Sequence, residues 1–525
     1  MHSFIARFPA QPGVRSCSST LVRAWRFQST KSPRSAWKQA VTPDSPVLVQ
    51  ENFPKHFVFV LDVGRRFIKF SFIGLTLLGL TIGSAYEGAH IWAEKNGLAP
   101  ESDEEVKKWQ WESDADKWTG DPLNGGTDPG LGFKGRHLVR AAWMAYTWGI
   151  GHTTTAIGSQ DQRGSGLVGP TGIKVINPQL QLTEDFLRVA IRRAESSPDK
   201  LYSHTLPQLF ILHGMTLEKL GSDFLLEAKS EFERAWAGFG AQGLDSARIA
   251  LKLGDIDSRL GLGDQALEWW TRALQLTDGK SLQHTHEPKD LVPERPPLSP
   301  LAQRLLSSTL VSLSAFYAKS GQYRKAESIE ERALGVLRAI RPPDSLASAT
   351  PPQALHALFL LQRSSILSVH LAEVLYAQRR PTIMSMQWLT SAAESSERVA
   401  RALTGLTLVK SEEFHSKNPL SHPLEQRLLT SYSSSRSMKP VAEGLLRDAR
   451  RTAAEAWNLM GVLHEARENA KSALECFERA VEWAGSPSSE ADGGKEAAEG
   501  IPDADWKMFW NNYQRVKRQG ESEQL

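Results

Sequence analysis

The sequence predicts an all-α protein, an α-solenoid of antiparallel helix pairs with long insertions that is preceded by one transmembrane helix. Three observations predict it. These are a helical pattern of apolar residues from about residue 182 onward, a spaced set of alanines that recurs along this region, and one long apolar run near the N-terminus. The 525 residues are 41% hydrophobic, which fits one long helical array or two compact bodies.

The first element is a basic leader at residues 1–43. It carries seven arginines and lysines and many serines, and no acidic residue precedes Asp44. This composition is typical of a mitochondrial transit peptide, and residues 26–30 have the form of an arginine-directed processing site. A disordered basic arm is the alternative interpretation.

The second element is an apolar segment at residues 67–86, which would span about 30 Å as a helix and so match the core of a bilayer. Lys69 is its only charged residue, and it lies near one end, where its stem can reach the lipid headgroups. The sequence therefore predicts a transmembrane helix here. A buried core helix is the alternative.

The charges that flank this segment predict its orientation. Arg65, Arg66 and Lys69 lie at its N-terminal end, whereas residues 94–116 contain eight acidic residues against three lysines. By the positive-inside tendency, the N-terminus stays in the matrix and the C-terminal domain enters the intermembrane space. We therefore expect a single-pass protein of the mitochondrial inner membrane.

Cysteine content and net charge exclude several kinds of site. Loss of Cys17 with the leader leaves Cys476 alone, so the mature chain forms no internal disulfide and no cysteine-based metal cluster. The net charge of +3 includes the leader, and the mature chain is mildly acidic. Nothing in the charge therefore predicts nucleic-acid binding.

Residues 96–180 are predicted to form a linker with a short aromatic helix and a glycine-rich loop. A tryptophan-rich, acidic run lies near its start, at 109–118. The loop places Gly164, Gly166 and Gly169 in the G-x-G-x-x-G spacing of dinucleotide sites, but a proline follows where a helix should begin. We therefore interpret it as a flexible loop that holds no cofactor.

Residues 182–485 are predicted to form divergent helical repeats, followed by an acidic linker and a C-terminal helix at 486–525. Four units share an alanine, a second alanine seven residues later and a small residue twelve positions upstream, and three of them have an aromatic residue between the alanines. This spacing places the alanines and the aromatic residue on one stripe of the second helix of a pair. The small residue lies on the first helix and lets the second helix approach it closely. The alanine pairs are Ala228 and Ala235, Ala266 and Ala273, Ala326 and Ala333, and Ala473 and Ala480.

These units resemble tetratricopeptide repeats (TPRs), so the predicted solenoid is TPR-like. In the third unit Glu330 stands where the aromatic residue should be. The first alanines are 38, 60 and 147 residues apart, unlike the ~34-residue period of a tandem array, so insertions must interrupt it at 288–300, 341–352 and 410–440. The residues that we expect to pack between helices are Gly254, Ala266, Trp270, Ala273, Ala326, Ala333, Trp457, Gly461, Ala473, Phe477 and Ala480.

A stack of such pairs offers a long concave groove, which in tetratricopeptide proteins is lined by the first helix of each pair. The positions that this resemblance implies carry mixed charges, which suits extended peptides or partner helices. An ordinary polar surface is the alternative for each of them. The candidate peptide-binding residues are Arg248, Leu251, Asp255, Arg259, Ser308, Val311, Lys319, Asn458 and Glu465.

The sequence shows no recognisable catalytic constellation, so we expect no enzyme activity, no cofactor and no metal. Residues 284–287 bring two histidines and a glutamate together, but their alternate spacing before Pro288 fits no structural zinc pattern. A solvated loop is the simpler interpretation. The sequence also lacks a serine elbow and a P-loop lysine.

The order of a basic leader, one membrane span and divergent repeats resembles the fungal tetratricopeptide adaptor subunit of the mitochondrial inner-membrane i-AAA protease. The resemblance implies a protein that binds unfolded or membrane proteins in the intermembrane space and presents them to the protease, as part of protein quality control. An assembly factor for a respiratory-chain complex would have the same plan. An enzyme that uses the Gly164–Gly169 loop would need a strand directly before it.

Overall fold

The structure is a computed structural model of the chain. The residues it describes are 53–114, 117–118, 125–149, 156–157, 167–168, 174–279, 292–346, 348–406, 428–485 and 501–523. The predicted leader, the three loop glycines and the histidines near residue 285 lie outside the described residues. The chain divides into two compact units, one that ends at Leu80 and one that runs from Thr81 to Leu525.

The described residues are predominantly helical. A turn of π-helix, Ala93–Gly97, continues the first helix. The helices in chain order are α1 (Phe53–Trp92), α2 (Glu104–Lys108), α3 (Trp111–Asp114), α4 (Gly132–Trp148), α5 (Pro178–Glu195), α6 (Thr205–Leu220), α7 (Leu225–Gly238), α8 (Gly243–Arg259), α9 (Gly263–Thr277), α10 (Pro300–Lys319), α11 (Tyr323–Ala339), α12 (Pro351–Ala377), α13 (Thr382–Thr404), α14 (Thr430–Ser433), α15 (Met438–Glu465), α16 (Ala470–Ala484) and α17 (Asp503–Glu523).

A small antiparallel sheet lies between α4 and α5. It consists of the strands β1 (Ala156–Ile157), β2 (Leu167–Val168) and β3 (Lys174–Ile176), in the order β1-β3-β2. β2 is formed by the two residues between Gly166 and Gly169, where the sequence predicts a loop without regular structure. Pairing with β3 supplies this short segment with the main-chain hydrogen bonds that a loop would seek from water.

Helix α1 is the candidate membrane span. Its apolar side chains are exposed from Phe57 to Ile82, and the helix is long and apolar enough to cross a bilayer. Helix α12 passes the same test of length and composition, but most of its apolar stretch is buried among other helices. In the part of the chain that the structure describes, α1 is therefore the helix suited to span a membrane, and it contains the predicted segment 67–86.

From α6 onward the helices pack as consecutive antiparallel pairs: α6 with α7, α8 with α9, α10 with α11, α12 with α13, and α15 with α16. We call the leading member of each pair a first helix. First helices of neighbouring pairs also contact each other, α8 with α10, α10 with α12 and α12 with α15, so the pairs stack as a solenoid. The prediction of an all-α solenoid of helix pairs is confirmed.

The interiors of the pairs explain the spacing in the sequence. A Cβ added at Gly254 would lie 2.5 Å from Trp270 Nε1, and one added at Gly461 would lie 2.6 Å from Phe477 Cε1. Glycine is required at both positions because the aromatic ring of the second helix rests directly on the backbone of the first. The eight spaced alanines are all buried in these interiors.

Two positions depart from this pattern. Glu330 of α11 occupies the aromatic position of its pair and is fully buried, and burial raises its pKa to about 8. The carboxyl is therefore mostly neutral at pH 7, which makes its burial tolerable. Trp457 of α15 does not lie only between its own two helices, because its Nε1 donates to Glu397 Oε1 of α13 at 2.7 Å. It joins two neighbouring pairs.

The stack of pairs is extended at both ends. Helices α4 and α5 pack against each other and α5 packs against α6, so they precede the first pair. At the other end α17 packs against α16. Val516 of α17 forms one apolar cluster with Ala473 and Phe477, which places an additional helix over the last pair.

Candidate polypeptide-binding site on the first helices

The N-terminal ends of four first helices are covered by one segment, residues 96–114, which we call the strap. The strap contacts the start of α15 at its beginning, α10 and α12 at residues 109–111, and α8 at its end. The hydrogen bonds at its two ends join residues that are 340 and 134 positions apart in sequence. The strap is therefore held by distant parts of the folded stack, in addition to the hydrogen bonds within its own short helices.

The strap begins at the start of α15. Ser437 Oγ donates a hydrogen bond of 2.6 Å to Glu101 Oε2. Arg436 directly precedes Ser437, and its guanidinium contacts the strap only through main-chain oxygens. The acceptors are the carbonyl oxygens of Asn96 at 3.2 Å, Gly97 at 2.7 Å and Ala99.

Arg304 of α10 is the centre of the contact, with only 2% of its surface exposed. Its guanidinium donates to the carbonyl oxygens of Trp109 and Gln110, both at 3.0 Å, and pairs with the carboxylate of Asp114. It also lies over the ring of Trp111, 3.9 Å from the ring centre. Burial lowers the pKa of Arg304 and the Asp114 carboxylate opposes this shift, so the group stays charged.

Trp111 anchors the strap on α12. Its side chain is fully buried, and its Nε1 donates to the carbonyl oxygen of Pro352 at 2.9 Å. His356 lies beside it, and burial together with the Arg304 charge lowers the pKa of His356 to about 3. The neutral ring can therefore accept from Arg304 at Nδ1 (3.2 Å) and donate to Gln303 Oε1 from Nε2 (2.8 Å), a tautomer that we assign from these partners.

Gln110 of the strap completes the N-terminus of α10. Its Oε1 accepts from Ser299 Oγ at 2.6 Å and from the main-chain N–H of Leu301 at 3.0 Å. The first N–H groups of a helix have no partner within the helix, so this carbonyl oxygen satisfies one of them. Gln110 has a φ of 56°, which is unfavourable for a residue other than glycine or asparagine, and the surrounding contacts hold it there.

The strap ends at α8. Arg248 donates to the carbonyl oxygens of Ser113 at 3.0 Å and Asp114 at 3.3 Å. Arg248, Arg304 and Arg436 thus bind main-chain oxygens of a single segment from three different helix ends. We call these three residues the arginine ladder. Its chemistry is the recognition of carbonyl oxygens by charged donors, which gives strong hydrogen bonds.

The residues predicted to line the groove have several different environments. Arg248 contacts the strap, as just described. Asp255 accepts from Trp270 Nε1 within its own pair at 3.1 Å, and burial raises its pKa. Arg259 pairs with Glu218 of α6 at 3.0 Å. Two of these three predicted groove residues therefore bond to neighbouring helices.

The predicted groove residues of the last pair are covered by α17. Asn512 Nδ2 donates to Asn458 Oδ1 at 3.0 Å, and Arg515 pairs with Glu465. The remaining predicted positions lie on α8 and α10 without a described contact to the strap. They are Leu251, Ser308 and Val311, which are half-buried, and Lys319, which is exposed.

Sequence reasoning missed Arg304, Arg436 and Trp111 as residues of this site. The tryptophan-rich acidic run at 109–118 is evident in the sequence, but the interpretation of 96–180 as a linker predicts no contact between this run and the helical repeats. Arg436 lies in the segment treated as an insertion, 410–440. A signal that could have found Arg304 is its place near the start of a first helix, one turn before Ser308, the position that matches Arg248 of the neighbouring pair.

The described residues offer no candidate metal site and no reactive thiol. Among them no group of three or more His, Cys, Asp and Glu side chains is placed to hold a metal ion. Cys476 is buried, and burial raises the pKa of its thiol to about 12. A thiol of this pKa is a packing group and a poor nucleophile at neutral pH.

Comparison with known proteins identifies no relative. No family model matches the chain, and no curated protein matches it. Among solved structures, a circular tandem repeat protein with novel repeat topology matches at 14% identity over 75% of this chain and 86% of that chain, with a TM-score of 0.21. A monomeric IFIT1 mutant with Gppp-AAAA matches at 14% identity over 66% and 80%, with a TM-score of 0.15. Neither similarity bears on function.

Proposed function

We propose that this chain is a non-enzymatic, membrane-anchored adaptor that binds segments of other proteins and presents substrates to the mitochondrial i-AAA protease. The observation that supports it best is the arginine ladder, which binds main-chain oxygens of one segment from the ends of three stacked helices. Because every polypeptide offers carbonyl oxygens, such a surface accepts segments of many sequences. An adaptor for unfolded proteins needs this tolerance.

The membrane anchor gives the proposal its second part. In this proposal α1 spans the inner membrane with the N-terminus in the matrix, and the helix pairs stand in the intermembrane space. An anchor that confines adaptor and protease to one membrane raises their effective concentration without any new contact. A weak contact between the two proteins is then sufficient for delivery of a substrate.

The proposed topology is tested with intact mitochondria. We expect a C-terminal tag to resist added protease, and to become digestible once the outer membrane is opened while the inner membrane stays sealed. A tag that persists in such mitoplasts would place the helix pairs in the matrix. The positive-inside orientation would then be wrong, although the binding surface would not be affected.

The proposed partner is tested by affinity capture of the full chain from mitochondria, followed by half-life measurements after deletion of the gene. We expect the i-AAA protease among the captured proteins, and longer half-lives for some inner-membrane or intermembrane-space proteins. The assembly factor for a respiratory-chain complex is the alternative. It replaces the adaptor if every half-life is unchanged and one respiratory complex fails to assemble.

A further inference from the structure

We propose that the strap is an internal ligand that competes with partner segments for the arginine ladder. We also propose which partner segments fit best: those with a tryptophan followed three residues later by an aspartate or glutamate. This inference rests on the proposed function, because it takes the partner to be a polypeptide. It goes further by naming the binding site, the chemistry of the partner segment, and the strap as the segment that the partner must displace.

The strap has the character of a ligand because it is not part of the repeat series. It comes from the chain before the first pair and crosses four first helices that already contact one another in the stack. Two members of the ladder, Arg248 and Arg436, contact it through main-chain oxygens. Those two contacts would be available to any segment of the same path.

The centre of the site sets the preference for particular side chains. Trp111 is fully buried in one apolar cluster with Leu355 and Leu358 of α12, and its N–H reaches a carbonyl oxygen of that helix. Asp114 is placed by its spacing to pair with the same Arg304 that lies over the tryptophan ring. Arg304 therefore contacts both a tryptophan ring and the carboxylate of an acidic residue three positions later.

The strap itself is not an ideal occupant. Gln110 holds a left-handed backbone conformation at a φ of 56°, which costs free energy that a segment with glycine or asparagine there would avoid. Its advantage is its attachment to the chain, because a tethered segment acts at an effective concentration in the millimolar range. A free partner must offset this advantage, so weakening the strap should strengthen partner binding.

The inference is tested with a labelled peptide of residues 104–114, added to the full chain in lipid nanodiscs. Trp111→Ala in the chain empties the central position and leaves the ladder intact. We expect the peptide to bind this variant at least tenfold more tightly than the unaltered chain. A peptide with alanine in place of its tryptophan should gain nothing.

Two controls guard this test. Trp270→Ala removes another buried tryptophan whose Nε1 is hydrogen-bonded, away from the strap, and should not improve peptide binding. Asp114→Asn combined with Glu101→Gln weakens the strap without opening a cavity, and should improve binding at least threefold if Trp111→Ala fails to fold. Equal binding to the unaltered chain and to the strap variants overturns the inference.

A locked strap gives the opposite prediction. Cysteines are introduced by Glu101→Cys and Ser437→Cys in a Cys17→Ser background, at two positions whose side chains are in contact. A short bis-maleimide then links the two cysteines and fixes the strap to the start of α15. We expect the linked chain to bind the peptide at least tenfold more weakly than the same unlinked variant. If linked and unlinked chains capture mitochondrial partners equally well, the competition is wrong and the adaptor proposal stands. If neither captures any, both are wrong.

Discussion

The interior of the helix pairs and the contact beneath the strap are built from opposite chemistry. Inside a pair, a small residue and an aromatic ring from adjacent helices pack closely, as Gly254 and Trp270 do. Beneath the strap, charged guanidinium groups bind main-chain oxygens of a distant segment. The pairs therefore hold themselves together, whereas the strap combines buried apolar side chains, among them Val106 and Trp111, with polar contacts to its main chain that another polypeptide could supply. Stability and binding are assigned to different parts of the same helices.

The largest effect is expected inside a pair. Phe477→Ala removes a fully buried ring that rests on Gly461, and it should lower the free energy of unfolding of the last pair by about 3 to 5 kcal/mol. Hydrogen exchange of the α15 and α16 amides measures it. Phe133→Ala is the matched control, because Phe133 is 68% exposed, and it should change little. Unchanged exchange in Phe477→Ala would show that this ring is not a core group.

The next effect should be confined to the strap. Arg304→Met leaves the Asp114 carboxylate and two carbonyl oxygens without their buried partner, which should cost about 3 kcal/mol. We expect fast hydrogen exchange in residues 104–114 and unchanged protection in α8 and α9. The exposed Arg324→Met is the control. A loss of protection throughout the chain would mean that strap and pairs unfold as one unit.

A pH dependence should distinguish one pair from the others. The pKa of Glu330 is raised by burial from 4.5 to about 8, so its stabilising effect is complete below 4.5 and is lost as the pH rises through 8. Between pH 6.5 and 8 the unfolding free energy should fall by about 1 to 2 kcal/mol more in the unaltered chain than in Glu330→Gln. The exposed neighbour Glu331→Gln should keep the full pH dependence. Identical slopes in both variants would contradict a buried neutral carboxyl.

The smallest effect is expected at the end of the strap. Arg248→Ala removes two hydrogen bonds to carbonyl oxygens at a half-buried site, which should cost about 1 kcal/mol of local stability. Faster proteolysis near Asp114 measures it, with the exposed Arg192→Ala as the control. If Arg248→Ala loosens the strap as much as Arg304→Met does, the ladder is not centred on Arg304.

The pair interiors could be predicted from the sequence because their signal is local. Alanines seven residues apart, with an aromatic residue between them, indicate the packed face of a second helix. A glycine twelve positions upstream indicates where the first helix packs closely against that face. This spacing pairs Gly461 with Phe477 from the sequence alone. The same reasoning placed Trp457 only within its own pair, because its bond to Glu397 of the preceding pair leaves no local pattern.

The strap site could not be predicted because it has no local signal. Trp111 meets Pro352 across 241 positions, and nothing in either neighbourhood indicates the other. Arg248 was expected to bind a peptide, from its place on a first helix, but the sequence does not reveal that its own chain supplies one. Asn458 and Glu465 were expected to be available, and their contacts with α17 depend on how the last helix folds back.

The central claim is that the first-helix surface next to the ladder binds segments of other proteins. Site-specific photo-crosslinking in intact mitochondria tests it most directly, with the photoreactive residue at Lys252, one turn after Arg248, or at the exposed Glu268 of the second helix α9 as the control. We predict crosslinks to inner-membrane or intermembrane-space proteins from position 252 but not from position 268, and more of them when Trp111→Ala weakens the strap. Equal crosslinking from both positions, or none from position 252 in either background, would contradict the claim.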